Sequence, residues 1–207
     1  MRSGNAMNAH DLLWGMRPEH LPAEAPEWAR RVLLAGRPVV VRRAQVASGS
    51  VAVGVRGAGR SERLAAQLPL TAVTRRCRPE QLRVAMQLDL PALRALQALT
   101  PLLDGLGLAW GPTGGVGYQL ASAVTVLHAG SDLDLVLRTP TPWSRTQAQA
   151  LLQALAGQPC RIDLQLETPN GAVALADWAG VAPRVLLKRA EGACLVENPW
   201  PVEGALA

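Results

Sequence analysis

Three aspartates in the second half of the chain have the types and spacing that hold divalent cations. Asp132 and Asp134 alternate with leucines, and residues two apart in a strand project from one face at a separation of about 6.6 Å. Two like charges side by side repel, and Mg²⁺ or Mn²⁺ would neutralise them. A pair of metal ions would need a further shared carboxylate, for which Asp163 is the candidate. A strand with solvated acids is the alternative.

A glycine-rich turn precedes these acids. Residues 111–117 read Gly-Pro-Thr-Gly-Gly-Val-Gly and lead into a predicted short helix. Backbone amides at Gly114 and Gly115 would suit phosphate oxygens, whereas a tight loop without a ligand is the simpler interpretation. The order of glycine turn, helix, Asp-x-Asp strand and third acid favours a metal and phosphate site.

The elements around these residues alternate between helices and strands. Apolar spacing predicts helices over 90–103, 118–123 and 146–156, the last with Ser144 as N-cap, and strands over 124–128, 132–138 and 161–168. Residues 106–117 are predicted as a turn-rich loop. This alternation is typical of an α/β or α+β domain around a mixed sheet.

The first part of the chain predicts a smaller α/β domain. A helix is expected over 23–35, ending at Gly36, and residues 38–43 and 50–56 are expected to pair as a hairpin. A glycine-containing loop follows at 57–60. Residues 65–76 fit either a strand or a helix.

Charge divides the 207 residues unevenly. Residues 1–83 contain 14 basic and 6 acidic residues, a net charge of +8, whereas residues 84–207 have a net charge of −3. We therefore place a domain boundary at 83/84 and expect an anionic partner for the first domain, although a preference for arginine codons would also explain the excess. With one tyrosine and no phenylalanine, the chain has few rings for stacking on bases, which argues against nucleic acid.

The remaining composition points to the cytoplasm. The three cysteines, Cys77, Cys160 and Cys194, form no close pair, which argues against a disulfide framework and a cysteine-ligated zinc site. No stretch approaches the roughly 18 apolar residues of a spanning helix, and no signal pattern opens the chain. We therefore expect neither export nor membrane insertion. Residues 1–6 are interpreted as a cloning leader.

Several sequence blocks resemble a known family. The glycine turn and Asp-x-Asp strand are similar to the nucleotidyltransferase superfamily. More closely, the chain resembles the phosphoribosyl-dephospho-CoA transferases of malonate decarboxylase, which are holo-acyl-carrier-protein synthases. The similar blocks are His-Asp-Leu-Leu-Trp at 10–14, Arg-Pro-Val-Val-Val-Arg-Arg at 37–43, Val-Gly-Val-Arg-Gly at 53–57, Gly-Pro-Thr-Gly at 111–114, Ser-Asp-Leu-Asp-Leu at 131–135 and the stretch 163–171. Gly115 departs from the serine common in the superfamily.

The resemblance implies a fold and an activity. The fold is α+β, with a small basic N-terminal α/β domain and a C-terminal nucleotidyltransferase-like domain whose mixed sheet is flanked by helices. The activity is transfer of phosphoribosyl-dephospho-CoA from its triphosphate precursor, 2'-(5''-triphosphoribosyl)-3'-dephospho-CoA, to a serine of the acyl-carrier protein of malonate decarboxylase, with release of pyrophosphate.

The resemblance also implies site residues. Asp132, Asp134 and Asp163 would be catalytic and bind Mg²⁺ or Mn²⁺, with Asp163 as a metal ligand or as the base. Substrate-binding residues would be Gly114, Gly115, Ser131, Arg56, Arg60, Arg63 and Lys188. Two alternatives remain: a nucleotidyltransferase that uses ATP on a small molecule or RNA, and a non-catalytic module that binds nucleic acid or protein.

Overall fold

The computed structural model describes residues 7–59, 61–84 and 89–201, and these form two compact units. The first unit ends at Arg78 and includes residues 121–123, and the second contains the rest of the chain. This division lies five residues before the boundary expected at 83/84. The reason is a short 3₁₀ helix, Pro79–Gln81, which belongs to the second unit because Glu80 forms a 2.7 Å ion pair with Arg138 there.

The N-terminal unit is an antiparallel sheet packed against one α-helix. Its strand order is β4-β3-β2-β1-β5. Helix α1 buries Ala29, Val32 and Leu33, and β2 pairs with β3 as the sequence predicts. The bounds are β1 Leu12–Trp14, α1 Glu27–Leu34, β2 Val39–Val41, β3 Ser50–Arg56, β4 Arg63–Pro69 and β5 Arg75–Cys77.

The segment 65–76, which the sequence left between strand and helix, is extended at both ends. Strand β4 pairs along its whole length with β3, and β5 pairs with β1 after a 3₁₀ turn at Leu70–Ala72. A buried ion pair accompanies the second pairing, because Asp11 is fully buried and accepts from Arg76 at 2.7 Å. Asp11 is therefore part of the internal structure of this unit.

The C-terminal unit contains a mixed sheet of six strands in the order β11-β10-β9-β8-β7-β6. Strands β7 and β8 are parallel, and the other neighbours are antiparallel. None of the helices in the described part of the chain has the length and apolarity that crossing a bilayer requires. The bounds are α2 Pro91–Asp104, β6 Trp110–Pro112, α3 Gly114–Ser122, β7 Leu133–Arg138, α4 Arg145–Ala154, β8 Ile162–Thr168, β9 Gly171–Ala174, α5 Leu175–Ala179, β10 Val185–Lys188 and β11 Ala193–Val196.

The core of this unit lies on one face of the sheet. Alternate residues Leu133, Leu135 and Leu137 of β7 are buried, as are Leu164 and Leu166 of β8. They form one apolar cluster with side chains of helices α2, α4 and α5. Because side chains alternate along a strand, the intervening residues of β7 and β8 project from the opposite face. The core thus fixes which face presents the acids.

Two sequence expectations for this unit are wrong. The predicted loop 106–117 contains strand β6, and α3 begins at Gly114 instead of residue 118. Residues 124–128, all of which the structure describes, do not form the predicted strand. The amides of Val126 and Leu127 instead donate to Gln119 Oε1 at 2.9 and 3.0 Å. A side chain on α3 therefore takes the place of a neighbouring strand.

The helix predicted at 146–156 and its cap are confirmed. Helix α4 spans Arg145–Ala154, and Ser144 and Gln147 form a capping box. The Ser144 hydroxyl accepts from the Gln147 amide at 3.1 Å, and Gln147 Oε1 accepts from the Ser144 amide at 2.9 Å. Local sequence was sufficient here because capping involves residues three apart.

Candidate active site

Asp134 and Asp163 lie opposite each other at the start of the two parallel strands. They are register partners in the β7–β8 pairing, so their side chains leave the same face from strands about 4.8 Å apart. Both residues are partly buried. The structure thus brings together two of the three acids that the sequence identifies, on the face opposite the core.

Gly114 lies directly against Asp134. A Cβ built on Gly114 would overlap the Asp134 carboxylate at Oδ2, and the glycine has a φ of +55°. The Thr113 amide donates to the Asp134 carbonyl at 2.8 Å, and the Gly117 amide donates to the Thr113 carbonyl at 2.8 Å. The first turn of α3 is therefore fastened to β7 beside the carboxylate, and only glycine fits at the contact.

Gly115 follows in the same turn and is partly buried. The first amides of a helix have no carbonyl partner within it, and they carry the positive end of the helix dipole. At α3 these amides begin next to Asp134. This placement suits an anionic group held between the turn and a cation bound at the carboxylates.

Asp132 lies two residues before Asp134 and just ahead of β7, whose pairing with β8 begins at Leu133. Its carboxylate acts on a neighbouring thiol. Burial raises the pKa of Cys160, a backbone hydrogen bond with Leu133 lowers it, and the charge of Asp132 raises it further. Asp132 therefore lies near the segment that leads into β8, beside the pair formed by Asp134 and Asp163.

Ser131 has a structural partner next to these acids. Its hydroxyl accepts from the His128 amide at 3.0 Å, and its amide donates to the His128 carbonyl at 3.0 Å. The residue is buried. Ser131 thus closes the turn that delivers Asp132 and Asp134 to β7, and its predicted contact with substrate remains a prediction.

Lys188 lies on the same face of the sheet as Asp134 and Asp163, but on β10, which is two strands from β8. It pairs with Ala172, which in turn pairs with Glu167 of β8. Cross-strand partners share a face, so Lys188, which is exposed, and Glu167, which is partly buried, lie on either side of Ala172. The role of Lys188 in phosphate binding remains a prediction.

A polar cluster on this face was not singled out from the sequence. Arg138 Nε donates to Glu80 Oε1 at 2.7 Å, and Arg138 Nη1 lies 3.5 Å from Glu167 Oε2. Among the described residues, Glu80 Oε2, Arg138 Nη2 and Gln165 Oε1 are buried without a hydrogen-bond partner. The alternation that identifies Asp134 and Asp163 extends to Arg138 and Gln165, and this signal could have found them.

The predicted arginines belong to the N-terminal unit. Arg56 and Arg63 are register partners at the ends of β3 and β4, and Arg60 lies outside the described residues. Arg63 Nη1 donates to the carbonyls of Gly59 and Glu62, each at 2.9 Å. Arg63 thus helps to hold its own loop, and the substrate-binding role of all three arginines remains a prediction.

A complete metal centre is not preformed in the described part of the chain. No group of three His, Cys, Asp or Glu side chains there is arranged to hold an ion. Mg²⁺ in phosphoryl-transfer sites is commonly bound by one or two carboxylates together with substrate phosphates and water. The opposed Asp134 and Asp163 fit that smaller donor set.

The fold of the C-terminal unit, a mixed sheet with helices, is consistent with a nucleotidyltransferase-like α+β domain. Family models match both parts of the chain: residues 8–79 match the N-terminal domain of phosphoribosyl-dephospho-CoA transferase MdcG, and residues 78–199 match its C-terminal domain. The chain belongs to this family of transferases.

Relatives match over nearly the full length. A phosphoribosyl-dephospho-CoA transferase of Pseudomonas putida (strain W619) is 60% identical over 95% of this chain and 96% of its own. Proteins of the same name from Azotobacter vinelandii and Pseudomonas aeruginosa are 59% and 55% identical, over 92% and 98% of this chain and 93% and 98% of their own. No solved structure matches the chain.

Proposed function

We propose that this protein transfers the phosphoribosyl-dephospho-CoA group from its triphosphate precursor to a serine of the acyl-carrier protein of malonate decarboxylase. The observation that carries the proposal is the arrangement of Gly114, Asp134 and Asp163. A helix-opening glycine turn abuts one carboxylate, and a second carboxylate faces it across a parallel strand pair. Family membership supports the transferred group, because the relatives are named for it.

The reaction is a substitution at the α-phosphorus. A bond forms between the serine oxygen and phosphorus, the bond to pyrophosphate breaks, and the serine proton leaves. Asp163 would orient the hydroxyl or act as the base that accepts that proton. The amides of Gly114 and Gly115 would bind oxygens of the triphosphate.

The carboxylates fit a divalent cation. Asp134 and Asp163, with Asp132 nearby, would hold Mg²⁺ or Mn²⁺ through hard oxygen ligands. Such an ion, when bound, would neutralise phosphate charge and lower the pKa of the attacking hydroxyl. Gly114 would keep the Asp134 carboxylate accessible, because any larger residue would occupy its position.

Transfer to the carrier tests the proposal. Apo acyl-carrier protein is incubated with the enzyme, Mg²⁺ and triphosphoribosyl-dephospho-CoA, and its mass and the released pyrophosphate are measured. We expect a mass gain of one phosphoribosyl-dephospho-CoA group with an equal amount of pyrophosphate. Asp134→Asn should abolish both, whereas Asp177→Asn, which changes an exposed acid of α5, should retain them. Absence of any mass gain with the wild-type enzyme would favour an ATP-using nucleotidyltransferase instead.

Metal dependence is measured in the same assay. Removal of divalent ions with EDTA should stop pyrophosphate release, and Mg²⁺ or Mn²⁺ should restore it. Full turnover in EDTA would contradict the metal assignment but not the transfer itself. Retention of turnover by Asp134→Asn would contradict the placement of the site.

The N-terminal arginines and the cytoplasmic location belong to the same proposal. Arg56, Arg60 and Arg63 would contribute positive charge toward the anionic substrate or the acidic carrier. Arg56→Gln should raise the KM for the triphosphate substrate or for the carrier protein without lowering the free energy of unfolding. A reducing cytoplasm is consistent with the free thiols of Cys77, Cys160 and Cys194.

A further inference from the structure

A cavity of about 630 Å³ lies in the N-terminal unit, at the end of β1. It opens where three segments meet, namely the residues after β1, the end of α1, and the 3₁₀ turn before β5. The polar side chains that line it are Arg17, Glu19, His20, Arg37, Thr71 and Thr74. Its volume falls within the range of small-molecule sites, so it is large enough for a ligand of nucleotide size.

Two glycines shape this cavity. Gly15 has a φ of +109°, and a Cβ there would overlap the Ala72 carbonyl. The Thr74 amide donates to the Trp14 carbonyl at 3.0 Å, so the 3₁₀ turn lies directly against the end of β1. Gly36 follows α1 with a φ of +66°, and a Cβ there would meet nothing within 4 Å. The close contact at Gly15 and the open space at Gly36 together define the cavity.

Hydrogen-bond donors predominate among the polar side chains of the lining. The Arg37 guanidinium has no hydrogen-bond or ion-pair partner in the described part of the chain, which leaves its N–H groups for a ligand or water. His20 Nδ1 accepts from the Arg17 amide at 3.0 Å, so the neutral imidazole carries its proton on Nε2, as a further donor. With the Arg17 side chain, the lining contains two guanidinium groups and one imidazole N–H, and such groups bind phosphate oxygens.

Little in the lining opposes this positive charge. Glu19 is the only acid among the described lining residues, and its carboxylate lies 4.0 Å from Arg17 Nη1. The two side chains are 63% and 75% exposed, and exposed ion pairs of this kind are weak. The last carbonyls of α1 are also satisfied, because those of residues 31–33 accept from the amides of residues 35–37. The lining therefore favours an anion.

The rest of the lining suits the organic part of such a ligand. Met16 and Leu33 are buried side chains of the lining, and Trp14 is partly exposed. The Arg75 guanidinium lies 3.9 Å from the centroid of the Trp14 ring, and Arg75 is not a lining residue. The cavity therefore meets the part of the ring that Arg75 leaves uncovered, and aromatic rings stack on nucleobases. Cationic and aromatic groups thus line the same space.

We infer that this cavity binds a nucleotide, with its phosphate groups held by Arg17, Arg37 and His20 and its base against Trp14. The inference goes beyond the proposed function, because it concerns a different unit from the carboxylates and does not require the transfer reaction. It also gives the net charge of +8 over residues 1–83 a specific anionic partner. The nucleotide has two possible sources: the triphosphate donor, which contains one, or a free nucleotide that is not consumed.

Binding of ADP to the full-length protein tests the inference. Calorimetry is performed in EDTA and in an Asp134→Asn background, so that a cation at the carboxylates cannot contribute to binding. Arg37→Gln should weaken ADP binding by about tenfold or more, the loss expected for a hydrogen bond to a charged group. Arg31→Gln changes an exposed arginine of α1 outside the lining. It removes the same charge and should leave the affinity unchanged.

A second pair controls for misfolding, because it tests for a gain of affinity. Glu19→Gln removes the acid from the lining and should tighten ADP binding by about two- to threefold, as expected for an exposed charge. Glu24→Gln changes an exposed acid outside the lining and should not change the affinity. A variant that fails to fold would not bind more tightly.

The KM of the triphosphate donor distinguishes the two sources of the nucleotide. It is measured with Asp134 intact and Mg²⁺ present. If the donor occupies the cavity, Arg37→Gln should raise the donor KM by about tenfold. If a free nucleotide occupies it, the donor KM should stay unchanged while the affinity for ADP is still reduced.

Three outcomes overturn the inference. These are no detectable binding of ADP to the parent protein, equal effects of Arg37→Gln and Arg31→Gln on the affinity for ADP, and loss of carrier-protein binding in Arg37→Gln without any change in that affinity. The last result would assign the cavity to an acidic protein segment. Failure of the transfer reaction would contradict the proposed function, and the ADP measurements would still decide the inference.

Discussion

The carboxylate of Asp134 occupies the space that a side chain at Gly114 would need. This contact joins the glycine turn to the Asp-x-Asp strand, two motifs that the sequence presents separately. Position 114 therefore requires glycine for two reasons: a side chain would overlap the Asp134 carboxylate, and the residue has a φ of +55°.

Gly114→Ala should therefore reduce turnover far more than stability. A left-handed non-glycine residue costs about 1–2 kcal/mol, and displacement of a catalytic group by about 1 Å can cost on the order of 100-fold in rate. Gly107→Ala is the control, because Gly107 has a φ of +66° and its Cβ would meet nothing within 4 Å. Thermal unfolding and kcat are measured for both. Similar kcat losses in the two variants would mean that the contact with Asp134 has no catalytic consequence.

Asp132→Asn should lower the pKa of Cys160. The thiol is held protonated first by burial and also by the charge of Asp132, so removal of that charge favours the thiolate. In a Cys77→Ser, Cys194→Ser background, the pH midpoint of alkylation by iodoacetamide is expected above the usual cysteine range. It should move downward in Asp132→Asn. Asp177→Asn is the control, and its alkylation midpoint should equal that of the parent protein. If the midpoint of Asp132→Asn also equals that of the parent, Asp132 lies too far from the thiol to influence its pKa.

The raised pKa also predicts a pH dependence of stability. Because the folded state holds the Cys160 proton more tightly, this contribution is fully present below the pKa of the unfolded thiol and is lost as pH rises through the folded pKa. The free energy of unfolding should therefore fall at alkaline pH, and Cys160→Ala should reduce that fall. Urea unfolding of the wild-type protein and of Cys160→Ala between about pH 7 and pH 10, a range that spans the ordinary thiol pKa, measures this fall. Parallel profiles would contradict the prediction.

Arg138→Met should destabilise the C-terminal unit. The guanidinium lies between Glu80 and Glu167, and these three side chains are only 17–21% exposed, so its removal takes a cation away from two partly buried carboxylates. We expect a loss of about 2–3 kcal/mol in the free energy of unfolding. Arg184→Met, at an exposed arginine of the same unit, should change it by less than about 0.5 kcal/mol. Equal effects of the two substitutions would show that the ion pairs contribute nothing.

Trp200→Phe should separate packing from hydrogen bonding near the end of the described chain. Trp200 is buried against Trp178 at 5.3 Å between ring centroids, and its Nε1 donates to the Thr139 carbonyl at 2.7 Å. Phenylalanine keeps a ring but leaves that carbonyl without its donor, at an expected cost of about 1–3 kcal/mol. Trp200→Ala should cost about 3–5 kcal/mol. Chemical denaturation measures both, and a neutral Trp200→Phe would assign the stabilisation to packing alone.

Patterns within one element were readable from the sequence. The alternation of leucines and acids on β7 and β8 predicted the two strands and the face that the acids share, because burial on one face imposes a period of two. The cap of α4 was predicted for a similar reason, since its hydrogen bonds join residues three apart. These features need no knowledge of distant parts of the chain.

The sequence did not predict the short or irregular elements correctly. Strand β6 has three residues, Trp110–Pro112, two of which are Gly111 and Pro112, and its sequence is typical of a turn. It is a strand because it pairs with β7. Conversely, residues 124–128 have strand-like composition but donate to Gln119. In both segments a partner outside the segment decided the backbone conformation, β7 for strand β6 and Gln119, seven to eight residues earlier, for residues 126 and 127.

The sequence by itself determined the residue types of the candidate site, the face of each strand on which the acids lie, and the division of charge along the chain. Only the tertiary structure decided that Asp163 stands opposite Asp134, that Gly114 touches the same carboxylate, and that a cavity with a basic lining opens at the end of β1. The physical reason is that alternation specifies a face but not a neighbour. Strand order and register are set by packing of the whole core, and they alone bring these residues together.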